Sequence, residues 1–139
     1  MKTKFLLLSA LVLGTVLSIA PARAAADKSA APVVVKTVPE NGATGLPPGI
    51  TEIRITFNKK MQTDAFTFYP IDDTVPFDKS MIASKPRFDK EQKTFVLKLN
   101  LKPGTKYAFW INSPKFNNFR DTKGNRATPS QLAFETKAE

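Results

Sequence analysis

The side chains able to do chemistry in this chain are carboxylates, amines, guanidiniums and hydroxyls, because it contains no Cys and no His. That absence excludes a Cys/His zinc site, a Ser-His-Asp or Cys-His catalytic unit, a haem held by His or Cys, and any disulfide. Asp72-Asp73 is the one adjacent acidic pair, with Asp64 and Asp78 close by. Their oxygens suit Ca²⁺, but the Asp-x-Asp-x-Asp-Gly spacing is missing and the stretch reads as a solvated loop. Asp121-Thr122-Lys123-Gly124 interrupts the Asp-Thr-Gly of an aspartic protease with a Lys, and no second copy exists to share a proton. Ser80 and Ser84 precede Lys85, and Ser113 precedes Lys115, without the Ser-x-x-Lys helix context of a catalytic serine. No carboxylate pair is marked out for glycoside hydrolysis. Beyond the start residue, Met61 and Met81 stand without the His and clustered Met that copper needs, and read as core fillers. The expectation is a non-enzymatic protein with no metal and no cofactor, a small hydrolase being the last alternative.

The basic residues offer a different chemistry, which is attraction. They gather at Lys59-Lys60, at Lys85, Arg87, Lys90 and Lys93, and at Lys115, Arg120, Lys123 and Arg126. The last group is interleaved with Phe116 and Phe119 between Pro114 and Pro129, an interval with no strand period. Charge draws in a polyanion and aromatic rings supply a stacking face, so Lys115, Phe116, Phe119, Arg120, Lys123 and Arg126 form a candidate loop for an anionic or sugar-bearing polymer. The competing reading is that Phe116 and Phe119 tuck under the edge of the fold and anchor the loop.

The elements that must position this loop read as strands. The 11 prolines recur along the chain and leave few windows long enough for a helix. In the longest, Phe95, Leu97, Leu99 and Leu101 take every second position, the period of a half-buried strand. The same alternation places strands at Ile53 to Phe57 and Tyr107 to Ile111. Further candidates are Val33 to Val38, Ala65 to Tyr69, Ile82 to Phe88 and Gln131 to Lys137. Turn residues separate them at Asn41-Gly42, Pro47-Pro48-Gly49, Asp89 to Lys93, Pro103-Gly104 and Asp121 to Asn125. Six or seven short strands at such intervals describe an all-β antiparallel sandwich in one domain.

The N-terminus reads as an address. Lys2 and Lys4 precede an uncharged run from Phe5 to Ala20, and Ala22 and Ala24 put small residues where a signal peptidase cuts. Residues 1–24 are thus expected to be a signal peptide, 25–31 a patternless leader and 32–139 the domain. Cleavage removes Lys2, Lys4 and Arg23 and lowers the formal net charge from +9 to +6. The apolar run is shorter than the ~20 residues a spanning helix needs, so no membrane span remains. The product is exported, to the periplasm or beyond. Export disfavours nucleic acid as a partner.

With strands and turns in this order, the chain resembles the bacterial Ig-like modules of the SbsA type. The likeness rests on Pro39 and Asn41-Gly42-Ala43, on Ile53 to Asn58 with Met61, on Leu101 to Tyr107, on Asp121 with Gly124-Asn125, and on Phe134-Glu135-Thr136. The stretch from Thr63 to Lys93 departs from the pattern. The resemblance implies an Ig-like sandwich of about seven strands and a spacer, adhesive or accessory role without catalysis. Pro103 and Gly104 then form the corner leading to Tyr107, whose hydroxyl is expected to bond back to nearby backbone. Asp121 is expected to cap amides of its loop while Gly124 takes the positive-φ position. The functional expectation is a monomeric binding module whose partner is an envelope or extracellular protein or an anionic or sugar polymer. Self-association of an adhesive or spacer unit through a sheet edge is the alternative.

Overall fold

The computed structural model describes residues 30–139; the expected signal peptide and most of the leader lie outside them. Eight strands follow one another: β1 (Val34–Val38), β2 (Ala43–Leu46), β3 (Gly49–Phe57), β4 (Phe68–Pro70), β5 (Arg87–Phe88), β6 (Thr94–Leu101), β7 (Lys106–Ile111) and β8 (Ser130–Thr136). They form two four-stranded sheets, in the orders β1-β3-β6-β5 and β2-β8-β7-β4. The all-β sandwich anticipated from the alternation is the fold, in the Ig-like form that the resemblance implies.

The alternating apolar residues make the core. Ile53, Ile55 and Phe57 on β3 and Phe95, Leu97, Leu99 and Leu101 on β6 are buried, as are Tyr107, Phe109 and Ile111 on β7 and Leu132 and Phe134 on β8. The β3–β6 ladder runs without a break from Gly49 opposite Leu101 to Thr56 opposite Thr94. Because side chains alternate strictly, a one-residue slip would turn this whole apolar set to solvent, so the pattern also fixes the register. Each large side chain so buried contributes about 1.5–3 kcal/mol relative to exposure, and packing does this without a disulfide. Met61 and Met81 are both buried in the same cluster.

Three features differ from the expectation. β2 is an additional strand and pairs in parallel with β8, whereas the sequence reads there only as a turn after Asn41-Gly42. That turn docks on β8 through the Gly42 N–H to the Ala133 carbonyl at 2.7 Å and the Ala133 N–H to Asn41 Oδ1 at 2.8 Å. The strand expected at Ala65 to Tyr69 is shifted to Phe68–Pro70. Thr67 is spent on the loop instead: its carbonyl accepts from the Asn112 N–H and its hydroxyl from the Asn118 N–H. The strand expected at Ile82 to Phe88 shrinks to Arg87–Phe88, with one bridge between Ile82 and Leu99. Pro86 cannot donate to a ladder, and an Asp78-capped 3-10 turn at Lys79–Met81 takes the preceding residues.

At the Pro103-Gly104 corner the Lys102 N–H donates to Tyr107 Oη at 2.8 Å, and Gly104 sits at φ +55°. Replacing Tyr107 by Phe is expected to cost about 1 kcal/mol with the fold kept, since one buried hydroxyl and its bond are lost. Urea titration checks this; an unchanged midpoint would mean that water replaces the phenol without loss.

Candidate functional site

The interval between Pro114 and Pro129 is held from inside. Asn112 ends β7 at φ +53°, a left-handed conformation that Asn tolerates better than most residues, and its side chain is fully buried. Its Oδ1 accepts from the Phe119 N–H at 3.0 Å, while Nδ2 donates to the carbonyls of Phe119 at 2.9 Å and Ala127 at 3.1 Å. One amide thereby joins both arms of the loop. Phe119, pulled inward, is fully buried and packs against Phe57 and Phe95, each with ring centroids 5.1 Å away. The candidate ligand residue Phe119 is therefore corrected: its ring is a core anchor and presents nothing to a partner.

Beyond Phe119 the chain pairs with a distant segment. Met61 bridges Asp121, the Gln62 N–H donates to the Arg120 carbonyl at 2.8 Å, and the Thr122 N–H to the Lys60 carbonyl at 3.1 Å. Two basic clusters separated by sixty positions in the sequence, Lys59-Lys60 and Arg120 to Arg126, thus come to lie side by side at one end of the sandwich. Asp121 sits buried between them. Its Oδ1 accepts from the N–H groups of Lys123 and Asn125, both at 2.9 Å, and Oδ2 from Asn125 Nδ2 at 2.8 Å. Lys59 Nζ lies 3.7 Å from Oδ2. Burial alone would raise this carboxyl, but the Asn125 side chain, the two backbone N–H groups and the Lys59 charge outweigh it and hold it below the usual carboxylate range. Gly124, at φ +86°, closes the turn. Among the described residues only Arg54–Glu52 and Lys59–Asp121 come within ion-pair distance, which leaves Lys60, Arg120, Lys123 and Arg126 without a carboxylate partner. Asp64, on the connection after Met61, is exposed and likewise unpaired.

Phe116, unlike Phe119, is turned outward. It is 48% exposed, and Ser113 fixes its turn: the Ser113 N–H donates to the Phe116 carbonyl at 2.6 Å and the Phe116 N–H to Ser113 Oγ at 3.0 Å. Tyr69 Oη donates to the same Oγ at 2.6 Å, and the Tyr69 ring meets Phe116 edge-on at 5.4 Å. Lys115 Nζ stands 5.3 Å from the centre of the Phe116 ring. Of the six residues marked in the sequence, the structure leaves Lys115, Phe116, Arg120, Lys123 and Arg126 at least partly accessible and withdraws Phe119.

The model of one family, the bacterial Ig-like domain, matches residues 28–136. The chain belongs to that family. Among solved structures the Ig-like domain is similar to the crystal structure of the S-layer protein rSbsC, with a TM-score of 0.44 at 15% identity over 78% of this chain and 14% of that one. No curated protein matches it by sequence.

The sequence reading missed two half-buried groups on the outer face of the Ig-like domain, Tyr69 and Trp110. They are cross-strand partners on β4 and β7. The signal was present, since Trp110 falls between Phe109 and Ile111 and must point away from the core. Further down this outer face, a groove of about 400 Å³ crosses Ala108 and Ala133, with Gly42 to Thr44 on one side and Ile71 and Val75 on the other. Two of the carboxylates weighed for cation binding, Asp72 and Asp78, serve local turns instead. The Thr74 hydroxyl and N–H bind Asp72, and those of Ser80 bind Asp78, which holds both carboxyls low. Among the described residues no group of three Asp or Glu gathers as a metal site would require.

Proposed function

We propose that the protein is an exported, non-catalytic Ig-like module that binds an anionic partner at the cell envelope or outside the cell, through the loop end of its sandwich. The observation that carries this reading is the pairing of Met61 with Asp121, which sets Lys60 beside Arg120, Lys123 and Arg126 while the one carboxylate between them is consumed inside the loop. The signal-peptide pattern supports export, and family membership supports a role without catalysis.

Changing Lys60, Arg120, Lys123 and Arg126 together to Gln is expected to shift elution from immobilised polyglutamate to distinctly lower salt. Neutralising Lys36, Arg87, Lys98 and Lys137 instead alters net charge equally and is expected to shift it much less, because screening leaves mainly close contacts. Equal shifts would mean that net charge alone governs retention, and the loop-end reading would fall. Self-association through β1 has one observation in its favour, the exposed Val33, Val35 and Val38 at that sheet edge. A register shift between Val34 and Lys36, and the exposed Lys36 itself, guard the same edge against pairing.

A further inference from the structure

We propose that the anionic partner is an acidic polysaccharide, with its sugar rings laid on Trp110, Tyr69 and Phe116 and its acid groups met by Lys115 and the loop-end cations. This rests on the anionic-partner reading above and names the ligand class. Trp110 and Tyr69 oppose each other on β7 and β4 with their neighbours Phe109, Ile111 and Phe68 packed inward, so both rings belong to the outer face. Directly opposed residues bring their Cβ atoms to within about 5 Å. Ser113 then fixes the remaining geometry, since its hydroxyl holds Tyr69 by the phenol and Phe116 by the backbone. Two of the three aromatic residues, Tyr69 and Phe116, are thus held before any ligand arrives, which lowers the ordering cost of binding. An acidic peptide needs cations but not such a platform. A sugar ring has an apolar face of C–H groups that aromatic surfaces cover well, and its acid substituents match the unpaired cations on the same loop.

The track continues down the sheet. Trp110, Ala108 and Lys106 occupy every second position of β7, a run of roughly 14 Å at the strand rise. Ala108 and Ala133 leave the groove floor low, and Lys106 opposite Glu135 supplies a donor and an acceptor for hydroxyl groups at its far end.

Trp110 is the sole Trp, so its emission reports on the face directly. Alginate, polyglutamate and dextran of similar length are titrated into the purified protein. Alginate is expected to bind and shift the emission; polyglutamate binds several-fold more weakly and leaves it unmoved, and dextran binds weakest. Phe116→Ala, at an exposed position, is expected to weaken alginate by on the order of fivefold and leave polyglutamate unchanged. Polyglutamate binding as tightly as alginate, dextran doing so, or alginate binding with Trp110 silent would each overturn the sugar assignment while the anionic reading stands. Failure of both polyanions to bind would overturn that reading itself, and this one with it.

Discussion

Replacing Phe119 by Ala is expected to lower the stability of the domain by about 4 kcal/mol, the range for a fully buried aromatic whose cavity cannot collapse. The ring is wholly enclosed and meets aromatic neighbours from three strands of the β1-β3-β6-β5 sheet and from the connection after β3: Phe57, Phe95, Phe88 at 6.2 Å and Phe66 at 6.3 Å. Its backbone is the point at which Asn112 ties the loop together, and its carbonyl also accepts from the Ala127 N–H at 2.9 Å. The loss should appear as a lowered urea midpoint with an unchanged slope, since the fold is weakened but not made less compact. Phe116→Ala, three residues earlier on an exposed ring, should cost within about 0.5 kcal/mol. The contrast separates an anchor from a presented group. A Phe119→Ala cost below about 1 kcal/mol would show that the loop holds without its ring. If the cost is as expected, polyanion binding weakens too, although Phe119 meets no ligand, because Arg120 to Arg126 lose their fixed position.

The fold was legible where burial and periodicity coincide. Phe95 to Leu101 and Tyr107 to Ile111 alternate because each strand has one face in the core, and the sequence records that face residue by residue. β2 left no such record, as Gly45 and its flanking Thr44 bury little and the strand's partner lies some ninety positions away. The stretch from Ala65 to Phe88 misled for a related reason: Thr67, Asp78 and Pro86 serve a loop, a cap and a break, all tertiary or local demands that override strand pattern. The site was half legible. Composition marks Lys115 to Arg126 as basic and aromatic, but only the pairing of Met61 with Asp121 reveals that Lys60 belongs to the same surface. The inward turn of Phe119 depends on Asn112, a residue that carries no ligand chemistry and so attracted no notice. Tyr69 and Trp110 carry no mark in the sequence beyond their place in the alternation, which sets them on the face opposite the core.

Asp121→Ala should cost about 3 kcal/mol at neutral pH, since it leaves two backbone N–H groups and the Asn125 amide without their acceptor and a half-buried Lys59 without its counter-charge. Asp121→Asn keeps one acceptor oxygen but turns an NH₂ toward the Asn125 amide, so it should recover only part of that loss. The pH dependence separates the charge from the shape. Asp121's folded carboxyl lies below the unfolded value of about 3.9, so its ionised form stabilises the fold fully above that value, and the contribution fades as pH falls through the folded pKa. The gap between the protein and Asp121→Asn should therefore stay constant from pH 7 to about 5 and narrow below about pH 4. Asp89 contributes a second acid-labile term, because burial's upward push on it is outweighed by the Thr94 and Lys93 N–H groups, so both proteins should still weaken in acid. Urea midpoints at intervals from pH 3 to pH 7 measure the difference, and a gap that does not narrow would assign Asp121's role to packing rather than to its charge. A narrowing gap has a consequence for binding as well. The carboxylate that fixes the turn is the charge that holds Lys59 inward, so its loss would loosen the loop whose backbone pairing aligns Lys60, Arg120, Lys123 and Arg126. Retention on a polysulfate, whose charge persists in acid, would then fall even as the protein's net positive charge rises, the opposite of what charge alone dictates.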